Sequence, residues 1–271
     1  HPTKPNILWQ KNSYDQPNIA PWFSQKTNHN KYDWYVFNSN WTYEKFRMMF
    51  DVPTEKCHVI KNGCTSFPTR KIYKKGDPIR IIHQNTPWRG LSVLLGAMQL
   101  VKNPLIKLDV YSSTEVYGEE FKNLNDHKYV PLYKQASELS NVNYIGYRPN
   151  NYILENINKY NMYVYPSIFE ETSCISAIES LAAGLYSIVT NFGALYETCA
   201  EFPMYVTYTK DLKILSQTFA AAIEMAAETL HENAIQDSLD MQQAFYKKYY
   251  NWDKKAMEWN NFLYNVINAK K

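Results

Sequence analysis

The chain has 271 residues, of which 45% are apolar and 20% charged, and its net charge is +3. This length suffices for two modest domains, and so mild a charge does not indicate nucleic-acid binding. No apolar run reaches the roughly 18 residues of a membrane-spanning helix, and the N-terminal HPTKPN lacks the apolar core of a signal peptide. The sequence therefore predicts a cytoplasmic protein and leaves peripheral contact with a membrane open.

Short runs of β-branched and aromatic residues recur along the chain and predict strands. They lie at 6–9, 34–38, 58–60, 79–83, 107–111, 142–145, 162–166 and 186–190. The segments between them carry apolar residues at three- and four-residue spacing, as in 91–101 and 175–182, which is typical of amphipathic helices. This alternation predicts an α/β fold with parallel strands and with helices on both faces.

The stretch RKIYKKGDP at 70–78 divides the chain, because it is basic and polar and closes with Gly and Pro as many linkers do. About three strands precede it, and at least four strand–helix units follow it. From Asp211 onward the pattern is helical, and 250–267 predicts an amphipathic helix that has to pack on another element. We therefore predict three parts, over 1–76, 77–248 and 249–271.

The cysteines do not indicate a metal site or a disulfide framework. Their spacing contains no CxxC pair, and no histidine lies at a metal-ligand offset from any of them. Free thiols in a reducing compartment are the expected state of all four: Cys57, Cys64, Cys174 and Cys199.

Arg89 and Gly90 follow the strand at 79–83 and stand where the next helix begins. In open parallel sheets, ligands bind beyond the carboxyl ends of the strands, where helix N-termini present their positive dipoles. The planar guanidinium of an arginine at this place fits phosphate oxygens. The alternative for Arg89 is a solvated side chain in the first turn of a helix.

Two of the three glutamates in FEETSCISAIESLAAG, the stretch 169–184 that follows the run MYVYPS, have seven residues between them: Glu171 and Glu179. Thr172 and Ser173 are good helix-capping residues, so we expect the helix to begin there. Glu171 then lies in the preceding loop, and Glu179 lies about two turns along, on the order of 12 Å further. Carboxylates accept paired hydrogen bonds from vicinal diols, so an extended ligand with a hydroxyl-bearing ring at each end and phosphates between them fits both acids. The alternative is that Glu171 favours the helix dipole and Glu179 is a surface residue.

The stretch 169–198 resembles the signature of retaining GT-B glycosyltransferases, specifically glycosyltransferase family 4. In that family a Glu-x7-Glu motif follows a strand ending in Pro-Ser and precedes an Ala-Ala-Gly turn. Further stretches resemble the family in its order: VFNSNWTYEKF, HVIKNGCTSF, WRGLSVLL, YIGYRPNNYI and YNWDKKAMEW. The resemblance covers roughly 34–265. It implies two Rossmann-like parallel-sheet domains, the N-terminal one shortened, and a C-terminal helix that crosses back to it.

By this resemblance, the N-terminal domain faces the acceptor and the larger domain binds a nucleotide sugar of the UDP or GDP type. Glu179 is expected to bind the ribose hydroxyls of this donor. Glu171 is expected to hold the transferred sugar during catalysis, together with the backbone amides of the three residues that follow it: Thr172, Ser173 and Cys174.

The resemblance also assigns the diphosphate and the base. Arg89, beside Gly90, is expected to neutralise the diphosphate leaving group, and Tyr147 and Arg148 are expected to flank the base. Neither a metal ion nor another cofactor is expected, because basic residues and helix dipoles stabilise the departing diphosphate. The implied function is the transfer of a hexose, with retention of its anomeric configuration, to a glycan or glycolipid acceptor.

The chain departs from the family pattern in three ways. No lysine follows Arg89 closely, no Gly-rich loop opens the N-terminal domain, and the usual histidine after the first strand is replaced within the run 10–12, Gln-Lys-Asn. The next histidine along the chain is His29, and we expect it in a surface loop. These departures keep two alternatives open. One is a catalytically degenerate module that only binds nucleotide sugars, and the other is a sugar-nucleotide epimerase on the same fold.

Overall fold

Two parallel sheets organise the chain in the computed structural model, which describes residues 4–268. The smaller sheet has the strand order β1-β2-β3, and the larger has the order β6-β5-β4-β7-β8-β9. The strands are β1 (Ile7–Gln10), β2 (Trp34–Phe37), β3 (Cys57–Val59), β4 (Ile79–His83), β5 (Ile106–Val110), β6 (Val142–Tyr144), β7 (Met162–Tyr165), β8 (Tyr186–Thr190) and β9 (Met204–Val206). Central strands such as β7 are buried along their whole length, which explains their continuous apolar runs.

Helices cover both faces of the larger sheet. The helices are α1 (Ala20–Ser24), α2 (Asn40–Phe50), α3 (Leu91–Met98), α4 (Glu119–Asn125), α5 (Val130–Glu138), α6 (Asn150–Asn156), α7 (Ile175–Ala182), α8 (Leu195–Cys199), α9 (Leu212–Thr229), α10 (Asn233–Tyr249) and α11 (Trp252–Asn268). Leu94 of α3 and Phe219 of α9 pack on one face of the sheet. Ile178 of α7 and Tyr246 of α10 pack on the other face, so the sheet lies in the middle of three layers.

The smaller sheet is covered on both faces, and the side chains of its central strand β2 point alternately to the two faces. Phe37 points into an aromatic cluster with Phe23 and Phe46 of α1 and α2. Val36 points the opposite way and packs against Phe262 of α11. The helix predicted at the C-terminus therefore forms and crosses back to the smaller sheet.

The predicted α/β fold of GT-B type is confirmed in its elements. All eight predicted strands form within one residue of their predicted bounds, and β9 is an additional strand of only three residues. The segment 70–78 has no regular structure, although Arg70 is buried there and its guanidinium pairs with Asp240 at 2.7 Å. The domain boundaries stay predictions. The first predicted part begins with residues 1–3 and the last ends with residues 269–271, and both segments lie outside the described residues. No helix within 4–268 has both the length and the apolar character needed to cross a bilayer.

Candidate active site

The carboxyl ends of both sheets face one cleft. The loops after β1, β2 and β3 contribute Ser13, Asn38 and Asn62, and the loops after β4 and β7 contribute Arg89 and Glu171. A cavity of about 380 Å³ lies between these side chains. We call it the Arg89 pocket. Its position at the carboxyl edges is where parallel α/β sheets bind ligands.

A second cavity of about 440 Å³ adjoins the first, and we call it the Glu179 pocket. Thr86 and Ser176 line both cavities, so the two form one continuous cleft along the start of α7. The predicted site residues divide between them. Arg89, Glu171, Thr172, Ser173 and Cys174 line the first, and Tyr147, Arg148 and Glu179 line the second.

Arg89 and Glu171 form an ion pair across 82 residues of chain, with Nη1 donating to Oε1 at 2.8 Å. The Arg89 side chain is 23% exposed and the Glu171 side chain 5% exposed, so the solvated alternative for Arg89 is wrong. Burial lowers the pKa of Arg89, but the charges of Glu171, Tyr165, Tyr117 and Cys174 together outweigh it and the net pKa is raised. The guanidinium also lies 4.4 Å from the centre of the Phe169 ring, and its buried Nε has no partner among the described residues. Arg89 is thus held in place and charged, and its buried Nε donor is unused.

Glu179 is buried rather than a surface residue, at 6% exposed. Because α7 begins at Ile175, Glu179 lies about one turn into the helix, roughly 6 Å from its start, and not two turns. Its Oε1 accepts a hydrogen bond from Asn150 Nδ2 at 3.1 Å. Burial raises the pKa of Glu179 to about 7, although the bond from Asn150 acts in the opposite direction. A carboxylate in this setting gains from any ligand that donates hydrogen bonds to it.

Thr172 does not cap a helix, so the predicted helix start is wrong. Its hydroxyl donates to the carbonyl of Lys11 at 2.9 Å and accepts from Asn38 Nδ2 at 3.2 Å. The carbonyl of Ser173 accepts from Asn62 Nδ2 at 3.2 Å. The loops of the smaller sheet thus hold Thr172 and Ser173 through hydrogen bonds to one backbone carbonyl and two asparagine side chains, and the helix begins only at Ile175.

Cys174 occupies the N-cap position of α7, but its side chain does not cap the helix. Burial raises the pKa of this thiol to about 12, so it remains protonated at neutral pH. The helix α3 likewise begins without a side-chain cap, after Gly90, and neither helix has an acid in its first turn. The unshielded amides at the start of α7 therefore open on the cleft, and α3 begins two residues after Arg89, an arrangement that favours anions.

Gly90 lies beneath the cavity and does not line it. Its φ is +122°, and a Cβ at this position would lie 2.1 Å from the carbonyl oxygen of Pro166. Only glycine permits both the conformation and the close approach. Gly90 thereby holds the loop that carries Arg89 against the end of β7.

Several lining residues were not predicted, although their positions carried a signal. Lys11, Ser13 and Asn38 directly follow strands of the smaller sheet, where parallel sheets place ligand contacts. His29 was expected in a surface loop, and this is wrong. It is 4% exposed and its Nε2 lies 2.8 Å from the carbonyl oxygen of Phe23, a contact that supports the core of the smaller sheet. Within 4–268 no cluster of His, Cys, Asp and Glu is placed to hold a metal ion.

The comparison with protein families decides the class of protein to which this chain belongs. Residues 66–237, more than half of the chain, match the family model described as glycosyl transferases group 1. The chain belongs to this family. The match spans the larger sheet with Arg89, Glu171 and Glu179, and it ends within α10. Among curated proteins, no significant match was found.

Solved glycosyltransferases share the fold of this group 1 glycosyltransferase. A glycosyltransferase from Rickettsia africae superposes with a TM-score of 0.67 at 15% identity. The superposition covers 96% of this chain and 70% of the Rickettsia chain. HepE of Anabaena, solved with UDP-glucose, has a TM-score of 0.70 at 16% identity, with 97% and 72% covered. Sucrose-phosphate synthase from Thermosynechococcus elongatus has a TM-score of 0.69 at 17% identity, with 97% and 68% covered.

Proposed function

We propose that this protein is a retaining glycosyltransferase that moves a hexose from a UDP- or GDP-sugar to a glycan or glycolipid acceptor. The observation that carries the proposal is the single cleft that is lined by two buried glutamates, one arginine and the uncapped N-terminus of α7. A nucleotide sugar has the matching sequence of groups, with hydroxyls at both ends and negative charge between them. The spacing of Glu171 and Glu179 sets the direction in which the nucleotide sugar lies along the cleft.

In this mechanism Glu179 accepts hydrogen bonds from the ribose diol in the Glu179 pocket, next to Tyr147 and Arg148. Arg89 and the amides at the start of α7 neutralise the charge that develops on the departing diphosphate. These groups are preorganised and need no metal ion or other cofactor for this task. The base then lies against the loop that follows β6.

Glu171 holds the hydroxyls of the transferred hexose in the Arg89 pocket. The incoming diphosphate competes with Glu171 for Arg89, so donor binding weakens the ion pair and places each partner on its own ligand group. We propose front-face attack by the acceptor, and its support is the resemblance of the Glu-x7-Glu spacing to retaining enzymes. The anomeric configuration of the product, read by NMR, tests this part alone.

The acceptor enters from the smaller sheet. Buried oxygens of Ser13 and Asn38 have no hydrogen-bond partner among the described residues, and both side chains line the Arg89 pocket. Uncharged oxygens of this kind accept hydrogen bonds from hydroxyl groups, which fits a sugar acceptor. We further propose a cytoplasmic location, with peripheral membrane contact where the acceptor is lipid-linked. The four free thiols favour a reducing compartment.

Thermal unfolding with UDP, GDP and ADP and their sugar conjugates tests the donor site. A ligand present at a hundredfold excess over its Kd adds about 2.7 kcal/mol of stability, so one nucleotide family should raise the Tm clearly. We expect Glu171→Gln to keep nucleotide binding and to lose transfer, whereas the neighbouring Glu170→Gln serves as the matched control. If the Tm rises with none of these nucleotides, the proposed donor site is wrong. Binding without transfer supports the degenerate module instead.

A further inference from the structure

The two oxygens of Glu171 have different surroundings. Oε1 accepts from Arg89 Nη1 at 2.8 Å and from the Tyr165 hydroxyl at 2.5 Å. No group among the described residues donates to Oε2, and this oxygen is not enclosed by protein. Since Glu171 lines the Arg89 pocket, Oε2 is the oxygen available to a ligand there.

Tyr165 is the last residue of β7, a central strand of the larger sheet, and it is fully buried. Burial first, and then the charge of Glu171, raise the pKa of Tyr165 well above its usual value. The hydroxyl is therefore protonated and donates at any physiological pH. Tyr165 was not predicted, because a tyrosine at the end of a buried strand carries no functional signal of its own.

We infer that Tyr165 is a positioning residue whose hydroxyl holds Oε1 of Glu171, so that Oε2 faces the hydroxyls of the transferred sugar. The inference rests on the proposed function. Arg89 cannot fill this role throughout the reaction, because a bound diphosphate competes for its guanidinium. Tyr165 belongs to a packed strand and keeps its hydrogen bond to Oε1 when the diphosphate weakens the bond from Arg89.

Tyr165→Phe tests the inference through the difference between nucleotide and nucleotide sugar. We measure the affinities of the wild type and the variant for UDP and UDP-glucose, and for GDP and GDP-mannose. The free nucleotide should bind within about twofold of the wild type. The sugar conjugate should bind about tenfold more weakly or worse, as expected when a hydrogen bond to a charged group is lost.

Tyr246→Phe is the matched control. Tyr246 is equally buried, and its hydroxyl donates to the carbonyl of Thr198 at 2.7 Å, away from Glu171. This variant should change neither the nucleotide affinity nor the affinity for the sugar conjugate, although it also removes a buried hydroxyl group. A double variant gives the second readout. In the Glu171→Gln background, Tyr165→Phe should weaken the sugar conjugate no further than about twofold, because both changes act on one contact.

The outcomes separate the inference from the function on which it rests. If the wild type binds a nucleotide and Tyr165→Phe leaves its sugar conjugate unaffected, the positioning role is wrong and the donor site stands. Equal weakening of nucleotide and conjugate, or full additivity in the double variant, shows a structural role and also overturns the inference. If the wild type binds no nucleotide, both the proposed function and the role of Tyr165 fall.

Discussion

Glu179→Gln should stabilise the protein above neutral pH and change it little at pH 5. Burial raises the pKa of Glu179 from 4.5 to about 7. Between these values the folded protein keeps a proton that the unfolded chain has lost, so stability falls as the pH rises through this window. At about 1.4 kcal/mol per pKa unit, the ionised carboxylate costs about 3 kcal/mol at pH 8 and less than about 1 kcal/mol at pH 5. Glutamine keeps the shape and removes this cost.

Urea unfolding of the wild type and the variant at pH 5 and pH 8 measures the difference. Glu197→Gln is the control with the opposite sign. Burial raises the pKa of Glu197, but the amides of Asn40 and Trp41 and the ammonium of Lys61 outweigh it and leave the pKa lowered. Its replacement should therefore destabilise the protein at pH 8. An equal effect of Glu179→Gln at both pH values would refute the buried, proton-binding carboxylate.

The same titration should appear in nucleotide binding. A ribose diol donates two hydrogen bonds, which an ionised carboxylate accepts better than a protonated one. The affinity of the wild type for its nucleotide should therefore increase as the pH rises through about 7. Glu179→Gln should bind more weakly and with a flatter pH profile. The ionised Glu179 carboxylate thus lowers the stability of the free protein and strengthens ligand binding.

Two further substitutions test the framework of the site. Gly90→Ala should cost at least about 3 kcal/mol in urea unfolding, because the new Cβ meets Pro166 at a φ of +122°, whereas Gly76→Ala has open space and should cost about 1 kcal/mol. Phe262→Ala should cost about 3–5 kcal/mol by opening the contact of α11 with the smaller sheet. Tyr264→Ala, on the same helix but 71% exposed, should stay within about 0.5 kcal/mol.

The sequence predicted the elements well because periodicity and composition are local properties. β4 and β8 form within their predicted bounds, whereas the edge strand β9 was not predicted. The residues lining the cleft were largely predictable from the rule that parallel strands bind ligands at their carboxyl ends. What the sequence could not supply was the partner of each side chain. The pairing of Arg89 with Glu171, and the hydroxyl of Tyr165 on the same oxygen, depend on distances between distant strands.

The bonds around Thr172 have a mechanical consequence. Lys11 and Asn38 contact its hydroxyl, and Thr42 donates to its carbonyl at 3.3 Å, so the loop that we propose grips the sugar is suspended between both sheets. A hinge motion that widens the cleft has to break these bonds or pull the loop away from α7. Opening the cleft and loosening the proposed hold on the hexose are then one event, and an excised larger domain would carry a loop without its outer supports.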